Sequence, residues 1–249
     1  MKLSRRASLW INEALDRYVP PALRDSRLFG NLARRMYRDL TVDIVELKDK
    51  AFYLSRAEFA AFYKSLHSRF NQGGTDLTPE SLAGVLRAVR GRSVLDVACG
   101  LGYVCQQLAP DHDVVGCDVA IAAGRRGTHP NVLWCGGNVE ELPFRDGAVD
   151  TVVSTHTLEH VQHLATALEE LRRVARRRIV VVVPHQRPYM ATFIPHIHFF
   201  PYKFSWLAWT GTERPHSLEL VGGDWLYVED VEDVQDVEDV VPERYEGAP

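Results

Sequence analysis

The stretch VLDVACGLGYV, residues 94–104, decides how the rest of the sequence is interpreted. Its first half is apolar apart from Asp96 and has the composition of a buried β-strand. Gly100 and Gly102 follow, and glycine lets the backbone turn tightly and approach a ligand closely. Apolar residues then resume, as they do at the start of a helix. This order is typical of a nucleotide-binding loop, although an ordinary tight turn has the same local pattern.

The chain downstream of this stretch alternates between strand and helix patterns. Strands separated by helices predict a doubly wound, mostly parallel α/β sheet. Gly222 and Gly223 join two further strand-like runs within residues 217–230, which indicates a terminal antiparallel hairpin. The predicted strands cover residues 93–98, 113–119, 132–137, 149–155 and 178–184, and the predicted helices cover 101–109 and 163–177.

The two ends of the chain differ from this central pattern. Residues 1–90 have helical periodicity at 8–19, 27–40, 55–70 and 78–91. Residues 228–249 carry nine acidic residues and one arginine, and residues 228–241 follow a three-residue Val-acid-acid repeat. Such a block is typical of a solvated tail; an interaction tail is the less favoured alternative. We therefore expect an N-terminal helical segment or lid at 1–90, a sheet domain at 91–228 and an acidic tail at 229–249.

Composition excludes several classes of protein. The chain has 249 residues and a net charge of −4, and its basic clusters are short and scattered, so no nucleic-acid partner is expected. The cysteines at positions 99, 105, 117 and 135 have no CxxC spacing and predict reduced core thiols. The longest apolar run, residues 179–184, is too short to span a bilayer. We expect a cytoplasmic protein; a monomer and a homodimer are both compatible with these features.

The glycine loop by itself fits two cofactors. The nicotinamide fingerprint G-x-G-x-x-G is matched by Gly100 and Gly102, but Cys105 takes the third glycine position. Asp118 ends the second predicted strand, where a carboxylate can accept from two ribose hydroxyls. GNVEELPF at 137–144 and VDTVVSTHTLEHV at 149–161 follow.

With these blocks and RIVVVVP at 178–184, the chain resembles a class I S-adenosylmethionine-dependent methyltransferase over residues 94–184. The resemblance implies a Rossmann-like, seven-stranded sheet with an antiparallel terminal pair, and S-adenosylmethionine as cofactor. Two positions depart from the family pattern: Ala98 is often glycine, and Asn138 is usually aspartate. The implied cofactor contacts are Asp96, Ala98, Gly100 and Gly102 at the methionine and ribose end, Asp118 with Val119 at the ribose hydroxyls, Asn138 and Val139 at the adenine, and Thr155 and His156 near the methionine.

Methyl transfer to a hydroxyl benefits from a general base, for which histidine suits neutral pH. The resemblance points to His160 in the LEH motif and to His185 directly after the fifth strand. It also implies that the segment after strand five touches the substrate, which makes Tyr189 and His198 candidates. A metal site at His196-x-His198 has no carboxylate or cysteine close in sequence, so no metal is expected.

The most favoured function is methyl transfer to a small molecule, at a hydroxyl oxygen. Carbon methylation of a quinone-like lipid and a catalytically silent cofactor-binding protein are the alternatives, and Cys105 disfavours a nicotinamide oxidoreductase. Six aromatic residues between 198 and 209 either pack a helix on the sheet or wall a lipophilic pocket or membrane-docking face.

Overall fold

The computed structural model describes residue 15 and residues 18–36, 45–70, 75–121, 130–189 and 195–231. The predicted helix at 8–19 and the tail from residue 232 lie almost entirely outside these described residues. The helices are α1 (Pro21–Arg24), α2 (Arg27–Met36), α3 (Leu47–Lys50), α4 (Arg56–Phe70), α5 (Pro79–Ala88), α6 (Tyr103–Leu108), α7 (Leu164–Val174) and α8 (Lys203–Thr210), with single 3-10 turns at Ala51–Tyr53 and Leu158–His160. The strands are β1 (Ser93–Val97), β2 (Asp113–Asp118), β3 (Val132–Gly136), β4 (Val149–Thr155), β5 (Ala175–Pro184), β6 (His216–Val221) and β7 (Asp224–Asp230).

The seven strands form one sheet in the order β3-β2-β1-β4-β5-β7-β6. The first five are parallel, and β7 runs antiparallel to both β5 and β6. The predicted doubly wound sheet with a terminal antiparallel pair is confirmed. Strand order reverses at β1, because β2 and β3 lie on one side of it and β4 and β5 on the other. Such a reversal opens a ligand-binding crevice at the carboxyl ends of the strands.

Helices cover both faces of the sheet. Val94 and Val180 belong to the cluster that includes α5 and α6 residues, whereas Leu95 and Ile179 belong to the cluster that includes α7 and α8 residues. The valines at 180–183 are fully buried. An unbroken β-branched run therefore marks a strand covered on both faces, as the sequence predicts. Each buried valine contributes about 1.5–3 kcal/mol, which makes β5 the centre of the stabilising core.

Helix α5, which the sequence places in the N-terminal segment, packs on the sheet. Thr78 caps it by accepting from the backbone N–H of Ser81, at 3.1 Å. The Ser81 hydroxyl contacts the carbonyl of Val221 at 2.9 Å and Asp224 Oδ2 at 2.8 Å. A side chain at Gly222 would clash with Thr78 Oγ1. Helix α5 therefore packs closely against the turn of the terminal hairpin.

Strand β7 continues past residue 228, where the sequence places the start of the tail. Glu229 is buried and accepts from Arg172 Nε at 2.7 Å and Arg172 Nη2 at 2.6 Å. Asp230 accepts from Arg178 at 2.6 Å and 3.0 Å. The first two acids of the repeat thus belong to the sheet, because arginines on α7 and β5 pair with them.

The described part of the N-terminal segment covers the chain that follows β4 and β5. Leu47, Ala51 and Phe62 form a buried cluster with Ile197. Gln162 Nε2 donates to the carbonyl of Ala51 at 2.7 Å and to that of Leu54 at 2.9 Å. These contacts are compatible with a lid, which stays a prediction.

The aromatic segment divides between core and surface. Phe200 and Trp206 are fully buried, and Trp206 packs edge-on against Tyr227 with ring centroids 5.5 Å apart. Tyr202 and Phe204 are exposed and stack with centroids 5.2 Å apart. Among the described residues, no helix has the length and hydropathy that a membrane span requires. The four cysteines are free thiols.

Replacing Arg172 with Met is expected to lower the free energy of unfolding by about 3 kcal/mol, because it removes the bidentate partner of the buried Glu229 carboxylate and leaves it the Tyr227 hydroxyl and the more distant Arg214. Chemical denaturation measures this loss. The double variant Arg172→Met, Glu229→Gln should recover part of it. Arg92→Met removes the exposed pair with Asp113 and should leave the melting temperature unchanged. Equal losses for Arg172→Met and Arg92→Met would contradict the buried-pair interpretation.

Candidate functional site: a cofactor crevice and a histidine cluster

The loop between β1 and α6 is built from left-handed backbone. Ala98, Gly100 and Gly102 have φ of +56°, +53° and +76°. The N–H of Gly102 donates to the carbonyl of Cys99 at 2.7 Å and closes the turn. A Cβ at Gly102 would clash with the indole of Trp134. The loop can therefore follow this path only with glycine at 102, which explains the second glycine of the motif.

Asp118 ties this loop to β2. Its Oδ2 accepts from the N–H of Gly100 at 2.9 Å, and its Oδ1 accepts from the N–H of Ala120 at 2.8 Å. A carboxylate oxygen has two lone pairs, so each oxygen retains an acceptor position for a ligand hydroxyl. Val119 follows with a side chain that is 54% exposed. The arrangement fits the predicted ribose contact.

Asp96 lies inside the sheet, one residue before the end of β1, and its side chain is buried. Burial raises the pKa of this carboxyl to about 7, and the charge of Asp118 adds to the effect. The thiol of Cys105 donates to Asp96 Oδ2 at 3.1 Å and opposes the shift. A cationic ligand group beside Asp96 would favour its ionised form.

Hydrogen bonds hold the segment after β3 against the start of α7. Asn138 Oδ1 accepts from the N–H of Glu140 at 3.0 Å. Glu140 accepts from the backbone N–H of His163 and contacts its Nδ1, both at 3.0 Å. The amide oxygen of Asn138 is thus used within its own loop, and Val139 beside it is buried. To contact an adenine edge, the Asn138 side chain would have to donate from its own amide NH₂ group.

His156 follows Thr155, the last residue of β4, with φ of +48°. Its Nδ1 lies 3.5 Å from Glu159 Oε1, and its Nε2 lies 3.4 Å from Asp224 Oδ2. Burial lowers the pKa of His156, but the two carboxylates outweigh it and raise the pKa to about 10. The side chain is therefore an imidazolium held between two acids. The predicted contact of His156 with the cofactor stays a prediction.

His160 and His196 lie against each other, with ring centroids 4.7 Å apart. His160 Nδ1 is 3.2 Å from the carbonyl of Pro195 and 3.2 Å from the Tyr63 hydroxyl. His196 Nδ1 is 2.6 Å from Gln186 Oε1. Both Nε2 atoms lie 3.9 Å from Oε1 of Glu159.

Sequence reasoning missed Glu159, because a glutamate in a short helical turn carries no signal of burial. It weighed His196 together with His198, but the structure separates their side chains. His198 Nε2 contacts the carbonyl of Val161 at 2.9 Å, and its ring lies between Phe52 and Trp209.

The remaining predicted residues lie outside this cluster. His185 Nε2 is 2.9 Å from the carbonyl of Pro201, and its ring meets the Trp225 ring edge-on at 5.3 Å. Tyr189 is buried, with the Arg24 guanidinium 3.5 Å from its ring centroid. No described contact joins His160 directly to His185.

Comparison with known proteins agrees with this geometry. Residues 95–183 match the family model described as a methyltransferase domain. Demethylmenaquinone methyltransferase from Beutenbergia cavernae is 36% identical over 117 residues, which are 43% of this chain and 48% of that protein. Ajmaline N-methyltransferase from Rauvolfia serpentina is 29% identical over 102 residues, covering 37% and 35% respectively. The chain thus spans between about a third and a half of these curated relatives.

The fold has solved counterparts. One is a chain from the Haloferax volcanii complex of the Trm112 methyltransferase activator with a protein described as a methyltransferase. It superposes with a TM-score of 0.50 at 14% identity, over 71% of this chain and 96% of that one. The match over residues 95–183 supports a class I S-adenosylmethionine-dependent methyltransferase domain in this part of the chain.

The residues present fit this cofactor. The loop carries no side chain at Gly100, which is partly exposed, and Asp118 offers acceptor positions beside it. Asp96 supplies a buried carboxyl to which a cationic group would be attracted. These residues would hold the ribose and the methionine end of the cofactor.

Replacing Asp118 with Asn is expected to weaken binding of S-adenosylhomocysteine at least tenfold, since hydrogen bonds to a charged acceptor are worth about 1.5–3 kcal/mol. Isothermal calorimetry measures the change. Asp113→Asn, at the opposite end of the same strand, removes an exposed pair with Arg92 and is the matched control. Unchanged affinity in Asp118→Asn would refute the ribose role.

Proposed function

We propose that this protein transfers the methyl group of S-adenosylmethionine to a hydroxyl oxygen of a small molecule. The observation that carries the proposal is the glycine loop held by Asp118 at the strand-order reversal, with histidines after β4 and β5 at the same sheet edge. The described N-terminal residues cover this edge: Tyr63 donates to the carbonyl of Pro195 at 2.7 Å. Such a cover would exclude water from the reaction.

Bound S-adenosylmethionine supplies an activated methyl group on a sulfonium sulfur. The acceptor oxygen attacks the methyl carbon as the carbon–sulfur bond breaks, and S-adenosylhomocysteine leaves. The protein contributes alignment of the two reactants, so the crevice residues at β1 and β2 fix the donor. The hydroxyl proton passes to a general base.

We assign the base role to His185. Its Nε2 lies 2.9 Å from the carbonyl of Pro201, an acceptor, so Nε2 carries the ring proton and Nδ1 is the basic atom. The edge of Trp225 fixes the ring. His160 is the other candidate, but its Nδ1 lies against the carbonyl of Pro195, so its basic Nε2 faces Glu159.

His185→Ala is expected to lower kcat at least tenfold without changing the affinity for S-adenosylhomocysteine, because it removes the proton acceptor and leaves the cofactor loop intact. Single-turnover methyl transfer and calorimetry measure the two quantities. His112→Ala is the control, since this exposed histidine lies next to the start of β2, at the opposite edge of the sheet. Wild-type kcat in His185→Ala would remove His185 from the mechanism.

A second candidate is carbon methylation of a quinone-like lipid. The similarity to demethylmenaquinone methyltransferase of Beutenbergia cavernae favours it, as do exposed aromatic side chains on and before α8. Tyr202, Phe204 and Trp209 are 50%, 69% and 46% exposed. A lipophilic acceptor gains free energy by covering such rings.

Two measurements test the function. Calorimetry should show micromolar binding of S-adenosylhomocysteine and none of NADH; the reverse result would overturn the cofactor assignment. Transfer of labelled methyl from S-adenosylmethionine is then measured on hydroxylated aromatics, amines and reduced quinones. Product from the first set supports oxygen methylation, and product from the quinones alone supports the second candidate. Cofactor binding without product on any set would indicate a catalytically silent protein.

A further inference from the structure

We propose that Glu159, His160 and His196 form a binding site for one divalent transition-metal ion. The ligand atoms would be Glu159 Oε1 and the Nε2 atoms of the two histidines, all of which lie within 4.8 Å of one another. The histidines come from separate segments, the 3-10 turn after β4 and the chain after β5. These segments are joined by the backbone, because the N–H groups of Ile197 and His198 donate to the carbonyl of Glu159.

Glu159 is the first indication. Its side chain is fully buried, and among the described residues neither carboxylate oxygen has a hydrogen-bond partner. An ionised carboxylate in this position is costly unless a positive charge or a metal compensates it. The nitrogens nearest to its Oε1 are 3.5 Å away in His156 and 3.9 Å away in His160 and His196. These nitrogens and the Glu159 carboxylate thus surround a gap, and no hydrogen bond joins them across it.

The orientation of the two histidines is the second indication. His196 Nδ1 faces Gln186 Oε1 at 2.6 Å, and His160 Nδ1 faces the carbonyl of Pro195 at 3.2 Å. Gln186 Oε1 and the Pro195 carbonyl only accept, and the Tyr63 hydroxyl beside His160 donates its own proton to Pro195 at 2.7 Å. Each Nδ1 therefore carries a proton, and each Nε2 presents a lone pair. Two lone pairs and a carboxylate directed at one gap repel each other unless a cation lies between them. Histidine ligands of metals have this outer contact, Nδ1–H to a carbonyl.

The His156 ring compensates the Glu159 carboxylate only in part. Its Nδ1 lies 3.5 Å from Glu159 and its Nε2 lies 3.4 Å from Asp224, so one ring is shared between two carboxylates.

The distances between the ligand atoms fit a site that contracts when the ion binds. Metal–ligand bonds of about 2.0–2.2 Å put two ligands of a tetrahedral ion about 3.4 Å apart. Two of the donor pairs are 3.9 Å apart, so they need to close by about half an ångström. Two imidazoles and one carboxylate suit Zn²⁺, Fe²⁺ or Co²⁺, and three protein ligands leave at least one open position. The His160 side chain is 24% exposed, which gives access from the outside.

The role of such an ion rests on the proposed function, whereas its binding does not. An acceptor hydroxyl in the open position would have its pKa lowered by the ion. His160 would then be a ligand, and the proton of the hydroxyl would pass to His185.

The test titrates the metal-free 249-residue chain with Co²⁺, monitored by d–d absorption, and with Zn²⁺, monitored by equilibrium dialysis. One ion per chain is expected at micromolar concentration. Glu159→Gln and His196→Asn should weaken binding at least 100-fold. Gln186→Leu, which leaves all three ligands in place, should weaken it about 10- to 100-fold through loss of the outer contact. His198→Asn is the matched control and should bind as the wild type does.

Circular dichroism of every variant reports whether the chain is folded, and affinity for S-adenosylhomocysteine is measured separately. Absence of a bound ion in the wild type, or wild-type metal affinity in both Glu159→Gln and His196→Asn, would overturn the proposal. Where Glu159→Gln does not fold, Gln186→Leu decides, since a purely structural cluster predicts no change in metal affinity. Loss of cofactor binding together with retained metal binding would count against the proposed function and leave the metal site standing.

Discussion

The reversal of strand order at β1 is the constraint on which the rest of the structure depends. Because β2 and β4 flank β1, the connections that follow these strands leave the sheet in opposite directions. Their carboxyl ends carry the glycine loop, Asp118 and Thr155 to a common edge. The core around β5 holds these ends in register, and the hydrogen bond from Gly100 to Asp118 then fixes the loop between two strands. A ligand crevice at this position follows from the topology alone.

Unfavourable local features are concentrated at the same edge. Ala98 and His156 have positive φ although neither is glycine, and each costs about 1–2 kcal/mol. Asp96 and Glu159 are acids in fully or nearly fully buried positions. The sheet core balances these costs. Strained backbone and buried charge are expected where local geometry serves ligand binding. A cation bound beside either acid would lower the free-energy cost of burying its carboxylate.

Prediction from the sequence succeeded where the determining interactions are local. Strand and helix patterns repeat within about ten residues, so the parallel sheet and the terminal hairpin were predicted correctly. Prediction was weaker where distant residues decide. Glu229 and Asp230 have the composition of a tail, but the arginines of α7 and β5 make them strand residues. His196 was compared with its sequence neighbour His198, whereas its ring lies against His160 and 3.9 Å from Glu159, which is 37 positions earlier in the numbering.

The sequence by itself determined the class of fold, the position of the cofactor loop and the kind of cofactor, because these depend on short motifs in a fixed order. Only the tertiary structure decided which carboxylate faces which histidine. That outcome depends on how the segments after β4 and β5 cross above the sheet, and a side chain's burial and partners are not encoded in its immediate neighbours. The histidine cluster is therefore a product of packing between segments, whereas the position of the glycine loop follows from its own motif.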